Sequence, residues 1–169
     1  EQLIVGLKDT CGVYVVTAFA GLGAPYWESH VRGAITGLTR GTGACHIVRA
    51  ALESMAYQTK DVFDLMHQES GLKITTLAVD GGASRNNFLM QFQADILGVK
   101  VVRPLMVDST VAGSAYLAGI SIGLYCPSKV LRPQAKGRIF TPALSRARAK
   151  ALYAGWTRAV RQVLAGKEQ

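Results

Sequence analysis

A chain of 169 residues with 49% hydrophobic side chains is long and apolar enough to close a real core, which excludes an intrinsically disordered segment and fits one domain. The net charge of +8 is lopsided: from Lys129 onward ten lysines and arginines face one acidic residue, Glu168, while residues 1–128 carry nine basic and ten acidic side chains. Cys11, Cys45 and Cys126 are odd in number, far apart and without metal-ligand spacing, which suggests neither a disulfide framework nor a zinc site and fits a reducing, cytoplasmic setting.

The opening Glu1-Gln2-Leu3-Ile4-Val5 has neither an initiator Met nor the basic and apolar regions of a signal peptide, so the chain is expected to be a piece of a longer protein. Residues 13–16 have strand composition and run into a loop over residues 18–27, punctuated by Gly21, Gly23 and Pro25. Gly21-x-Gly23 lacks the third glycine and the long apolar helix of a dinucleotide fingerprint, so that match is rejected. Residues 33–38 form a second short strand or turn. A long helix then runs from about Ala44 to Ser70, with Thr42 as N-cap, Gly71 as C-cap, and Val48, Leu52, Met55, Val62 and Met66 near one face. His46 and Glu53 near its start have no second cluster of ligands or carboxylates at comparable spacing, so surface or cap duty is the favoured reading.

Residues 74–79 read as a buried strand stopped by Asp80-Gly81-Gly82, and Phe88, Leu89, Phe92, Ile96 and Leu97 recur at helical spacing up to a C-cap at Gly98. Strand, glycine pair and helix suit a nucleotide-like ligand, because glycines let it approach the backbone and free amides at a helix start favour a polar or anionic edge. On the glycine pair alone, a plain tight turn is the favoured reading. Val101, Val102, Arg103 and Pro104 make a further short strand. Residues 109–128 carry no charge over about the length of a bilayer span, but their Ser, Thr and Gly content favours a buried helix ended at Cys126-Pro127. In residues 143–164, Leu144, Leu152, Trp156, Val160 and Val163 alternate with Arg146, Arg148, Lys150, Arg158 and Arg161, which fits a solvated amphipathic helix better than a nucleic-acid surface. Strands alternating with helices indicate an α/β layer fold with helices flanking a central sheet. A phosphate-binding P-loop, a nucleophile elbow and an assignable Ser/His/Asp set are all missing from the sequence.

Gly33-x-Ile35-x-Gly37-Leu38, seven residues, then His46-Ile47-x-x-Ala50-Ala51-Leu52-Glu53 resembles the second signature of the FGGY carbohydrate kinases at every specified position. Gly21-Leu22-Gly23-Ala24-Pro25-Tyr26-Trp27 and Asp80-Gly81-Gly82-Ala83 narrow the resemblance to members that phosphorylate glycerol, and it extends more weakly through residues 153–156. It implies a partial actin-like, Hsp70-like (ribonuclease H-like) ATPase domain. On that reading residues 1–169 are an N-terminally truncated C-terminal kinase domain, with 143–165 as a terminal basic amphipathic helix.

The resemblance makes the glycine turn an adenosine motif, with Gly82 approaching the nucleotide through its backbone beside Gly81, and Asn86 contacting it through its side-chain amide. The implied reaction moves the γ-phosphoryl group of ATP to glycerol, giving glycerol 3-phosphate, with Mg²⁺ offsetting phosphate charge. The family's catalytic carboxylate, glycerol-holding residues and phosphate hairpin lie ahead of the region seen here. No catalytic residue is therefore expected in this chain, which alone should be inactive, and Gly41-Thr42-Gly43 is not that hairpin. Asp80, Asp95 and Asp108 remain unassigned. A homo-oligomer is expected, without nucleic acid and without a membrane span. Another FGGY sugar kinase, or a non-catalytic basic binding module, is the alternative.

Overall fold

The computed structural model describes residues 2–105, 108–130 and 137–166. The first strands are β1 (Tyr14–Val16) and β2 (Ala34–Thr36), antiparallel with Tyr14 opposite Thr36 and Val16 opposite Ala34. β1 is buried on both faces: Val16 lies in the main core, while Val13 and Val15 pack on Ala50 in a smaller cluster. That two-sided burial explains an unbroken valine-rich run in place of an alternating one. Residues 17–33 fold back on themselves through paired backbone hydrogen bonds between Leu22 and Glu28 at 2.7 and 2.8 Å, and put Ala18, Leu22 and Val31 into the core.

Helix α1 (Ala44–Ser70) has the predicted length, and Gly71 closes it in the left-handed region at φ 66°. Its start differs from the sequence reading. Gly43 is the N-cap, His46 Nδ1 accepts from Gly43 N at 3.0 Å, and Thr42 Oγ1 instead accepts from Thr39 N in the preceding turn. The buried face is also not the predicted one. Ala50, Glu53, Ser54, Ala56, Tyr57 and Asp61 point inward, whereas Val48, Met55, Val62 and Met66 are exposed at 36–57%. Small residues on the inner face let α1 approach its neighbours closely, and the bulkier apolar stripe is left outside.

The second sheet holds β3 (Thr76–Ala78) parallel to β4 (Lys100–Pro104), joined across α2 (Asn87–Leu97) as a βαβ unit. A strand the sequence did not announce, β5 (Gly137–Phe140), pairs antiparallel with β4, setting Val101 opposite Phe140 and Arg103 opposite Arg138. The anticipated central sheet is thus divided into a two-stranded and a three-stranded sheet with helices around them.

Helix α3 (Ser109–Ser121) corrects the expectation of a buried helix reaching the Cys126-Pro127 step. Gly119 is its one buried residue, Val111 and Leu117 are exposed, and the helix ends at Ser121, before Gly123 at φ 75°. Its apolar residues are spread around the axis without forming one face, so no side of it packs as a unit. A short helix, α4 (Pro127–Val130), follows. No helix among the described residues is long and apolar enough to cross a membrane.

Helix α5 (Arg146–Ala165), N-capped by Ser145 Oγ, buries Trp156, Ala159 and Val160. Tyr57 joins three helices: its ring stacks on Trp156 with centroids 5.4 Å apart and takes Phe92 edge-on at 5.4 Å. Around this aromatic centre Asp61 accepts from Trp156 Nε1 at 2.9 Å, from Tyr153 Oη and from Tyr26. Glu53 is ion-paired to Arg49 at 2.8 Å and accepts from Tyr57 Oη at 3.2 Å.

Burial pushes the Glu53 and Asp61 carboxyls above their ordinary values of 4.5 and 3.8, against the hydrogen bonds that hold them down. A carboxyl whose folded value lies above its unfolded one contributes stability that is complete below the unfolded value and lost as pH rises through the folded one. Asp9, held down by the Cys11 backbone N–H, acts in the opposite sense at lower pH. Denaturant midpoints are therefore expected to fall as pH rises from the ordinary carboxylate range toward neutrality, with a shallower fall in Asp61→Asn and Glu53→Gln. Identical slopes in the parent and both variants would remove these two groups from the account.

Candidate functional site

The glycine turn occupies the exit of β3. Just beyond β3, Val79 N donates to Val102 O at 3.0 Å and carries the pairing one residue further. Asp80 then accepts from Ser109 Oγ at the start of α3. Gly81 sits at φ 79° and ψ 175°, a conformation open essentially to glycine alone, and its carbonyl accepts from Ser84 N at 3.1 Å and Ser84 Oγ at 2.7 Å. These bonds close the 3₁₀ turn Gly82–Arg85, which delivers the chain to α2.

Gly82 is exposed, and a Cβ placed on it would meet nothing within 4 Å, so its bare backbone forms an open platform rather than a packed turn. Asn86 caps α2, its Oδ1 accepting from Leu89 N at 3.0 Å. Use of the oxygen in the cap leaves the Nδ2 amide as the group it can offer to a ligand. Gly81, Gly82 and Asn86 thus lie on one short turn at the start of α2. The unobstructed Gly82 backbone and the Asn86 side-chain amide are what this turn can present to a ligand.

The other acidic candidates are engaged in structure. Asp95 Oδ1 is buried and accepts from Ala143 N at 2.6 Å, Leu144 N at 3.2 Å and Gln91 Nε2 at 3.0 Å, fastening the entry to α5 onto α2. Asp108 pairs with Arg85 at 3.3 Å on the surface. His46 performs the capping duty read from the sequence, but Glu53 is buried at 3% exposure rather than at the surface. Its partner Arg49 also donates to Leu7 O and lies over the Phe88 ring at 5.0 Å, so the pair ties the first residues of the chain to the core. Among the described residues Cys11, Cys45 and Cys126 form no disulfide. Among the described residues no group of three or more His, Cys, Asp and Glu side chains is placed to hold a metal ion.

Sequence reasoning missed a cluster of arginines beside this turn. Arg103 Nη1 donates to Ser84 O at 2.7 Å, and Arg103 Nη2 and Arg138 Nη1 both donate to Asn87 Oδ1, at 3.1 and 3.0 Å. The signal was hidden because β5 brings Arg138 in from 35 positions further along the chain.

A model of the FGGY family of carbohydrate kinases, C-terminal domain, matches residues 5–122. The glycerol kinases of Petrotoga mobilis and Pseudomonas syringae are 55% and 57% identical over 95% and 91% of this chain. Those alignments cover 32% and 31% of the relatives, so the chain spans about a third of their length. The crystal structure of Plasmodium falciparum glycerol kinase with ADP superposes with a TM-score of 0.81 at 32% identity, covering 96% of this chain and 33% of that one. A ligand-bound xylulose kinase from Lactobacillus acidophilus shares the fold at a TM-score of 0.71 and 22% identity.

Proposed function

Because the chain belongs to the FGGY family of carbohydrate kinases, we propose that it is the nucleotide-side portion of an enzyme that phosphorylates glycerol to glycerol 3-phosphate with ATP. The observation that carries this reading is the open Gly81-Gly82 turn at the start of α2, in a chain that superposes at 0.81 on a glycerol kinase with ADP. Gly82 takes the nucleotide against its backbone, Gly81 sets the turn that makes this possible, and Asn86 Nδ2 donates to its polar edge. Phosphoryl transfer is chiefly positioning and electrostatic stabilisation, and this portion supplies positioning. Mg²⁺ has no donor set among the described residues, so it belongs to this reading only as a companion of the nucleotide's phosphates. A cytoplasmic homo-oligomer completes the proposal.

Calorimetry with Mg-ADP tests the site. The parent should bind, Gly82→Val should abolish binding by filling the open platform, and Asn86→Ser should weaken it by roughly tenfold through loss of one hydrogen bond while keeping a side-chain cap. Binding by Gly82→Val equal to the parent would overturn the assignment of the turn. A full-length protein that phosphorylates xylulose or gluconate faster than glycerol would keep the nucleotide site and move the substrate to another member of the family.

A further inference from the structure

Two strands bring two cations face to face. In the antiparallel β4–β5 pair, Arg103 stands directly opposite Arg138, and like charges in that position destabilise a sheet. Both guanidinium groups donate to one neutral atom, Asn87 Oδ1, and both lie over the same Phe140 ring, with distances to its centroid of 5.4 and 4.9 Å. Neither forms an ion pair among the described residues. Arg85 joins from the 3₁₀ turn, and its ionic partner among the described residues, Asp108, is 60% exposed, so that pair is weakly held in water. The three arginines, with Pro104 and Leu105, line an open cleft of about 290 Å³.

Each feature favours a small anion. The hydrogen bonds to Ser84 O and Asn87 Oδ1 and the Phe140 ring hold Arg103 and Arg138 in place before any ligand arrives, and the guanidinium fork matches phosphate oxygens in pairs. Asn87 is also the first residue of α2, whose N-terminal dipole adds to the positive potential there. We infer that the Arg85, Arg103 and Arg138 cleft binds a phosphate dianion or phosphate monoester. The cleft adjoins the glycine turn but uses none of its proposed nucleotide contacts. The phosphate could belong to the nucleotide itself or to a separate molecule, and the two sources behave differently when both ligands are present.

Inorganic phosphate is the probe, followed by calorimetry and by melting temperature against a phosphate-free buffer. Arg138→Gln should weaken phosphate binding by at least about tenfold, since it removes charge-assisted hydrogen bonds. The same change should raise the melting temperature of the unliganded chain, because it removes the like-charge pair. Asp108→Asn, which releases Arg85, should tighten binding, and Arg146→Gln on α5 should leave it unchanged. Phosphate that still binds at saturating ADP marks a separate ligand, and phosphate displaced by ADP marks the nucleotide's own group; either supports the cleft. Phosphate binding retained by Gly82→Val after ADP binding is lost separates this site from the proposed adenosine turn. The inference is overturned if the parent binds no phosphate, if Arg146→Gln weakens binding as much as Arg138→Gln does, or if Arg138→Gln leaves phosphate affinity intact.

Discussion

Trp156→Ala is expected to destabilise the chain by about 4 kcal/mol, a large share of the stability of a domain this size. Trp156 is fully buried and stacks on Tyr57, the ring through which α1, α2 and α5 meet, so truncation opens a cavity at the junction of three helices. A polar cost is added. Trp156 Nε1 donates to Asp61 Oδ2 at 2.9 Å, and its removal leaves a buried carboxylate one donor short. Burial already pushes the Asp61 carboxyl upward, and loss of the donor pushes it further, so the deficit should narrow as pH falls and Asp61 takes up a proton. Trp156→Phe separates the two contributions: it keeps most of the stacked ring, loses the N–H, and should cost only about 1–2 kcal/mol. Denaturant unfolding of both variants at two pH values decides the matter. A Trp156→Ala deficit under about 1.5 kcal/mol would mean that the aromatic junction does not carry the fold.

The C-terminal ends of α1 and α2 were legible because single glycines determine them. Gly71 and Gly98 close α1 and α2 in the left-handed region, and no other residue type adopts that conformation so readily. The buried faces were less legible. The stripe of Val48, Met55, Val62 and Met66 has a clear helical period, yet the core took Ala50, Ser54, Tyr57 and Asp61 from other positions of α1. Periodicity shows that a face is apolar without showing what covers it, and this chain spans about a third of its relatives' length. The exposed α3 makes the same point. Asp61 was unreadable for a different reason: its partners Tyr153 and Trp156 come from more than 90 residues away, and no local pattern encodes such a pairing. The glycine turn stands at the other extreme. Gly81 and Gly82 are neighbours in sequence and in space, so strand composition and two glycines sufficed to locate the turn, whereas Asn86 was named from the family resemblance and the arginine cleft depends on the register of β4 with β5.

Gly37→Ala should be nearly as damaging as the loss of Trp156, for a backbone reason. Gly37 follows β2 at φ 78°, where an alanine is strained by about 1–2 kcal/mol. A Cβ there would also run into the Gly12 carbonyl, with its carbon at 2.9 Å. The obstacle is main chain immediately before Val13 and β1, so no side-chain rotation relieves it and the strand pair itself must shift. That shift disturbs Val13, Val15 and Val16, all buried, and should bring the total to about 3–4 kcal/mol once an overpacking cost of about 1–3 kcal/mol is included. Gly12 supplies the control. It has nearly the same conformation, φ 82°, but a Cβ on it would meet nothing within 4 Å, so Gly12→Ala should show the conformational cost alone, about 1–2 kcal/mol. The difference between the two variants in denaturant unfolding measures the close approach of the β2 exit to the β1 entrance. Equal losses would show that the strands part without resistance, and the requirement for glycine at position 37 would then rest on its backbone angle alone.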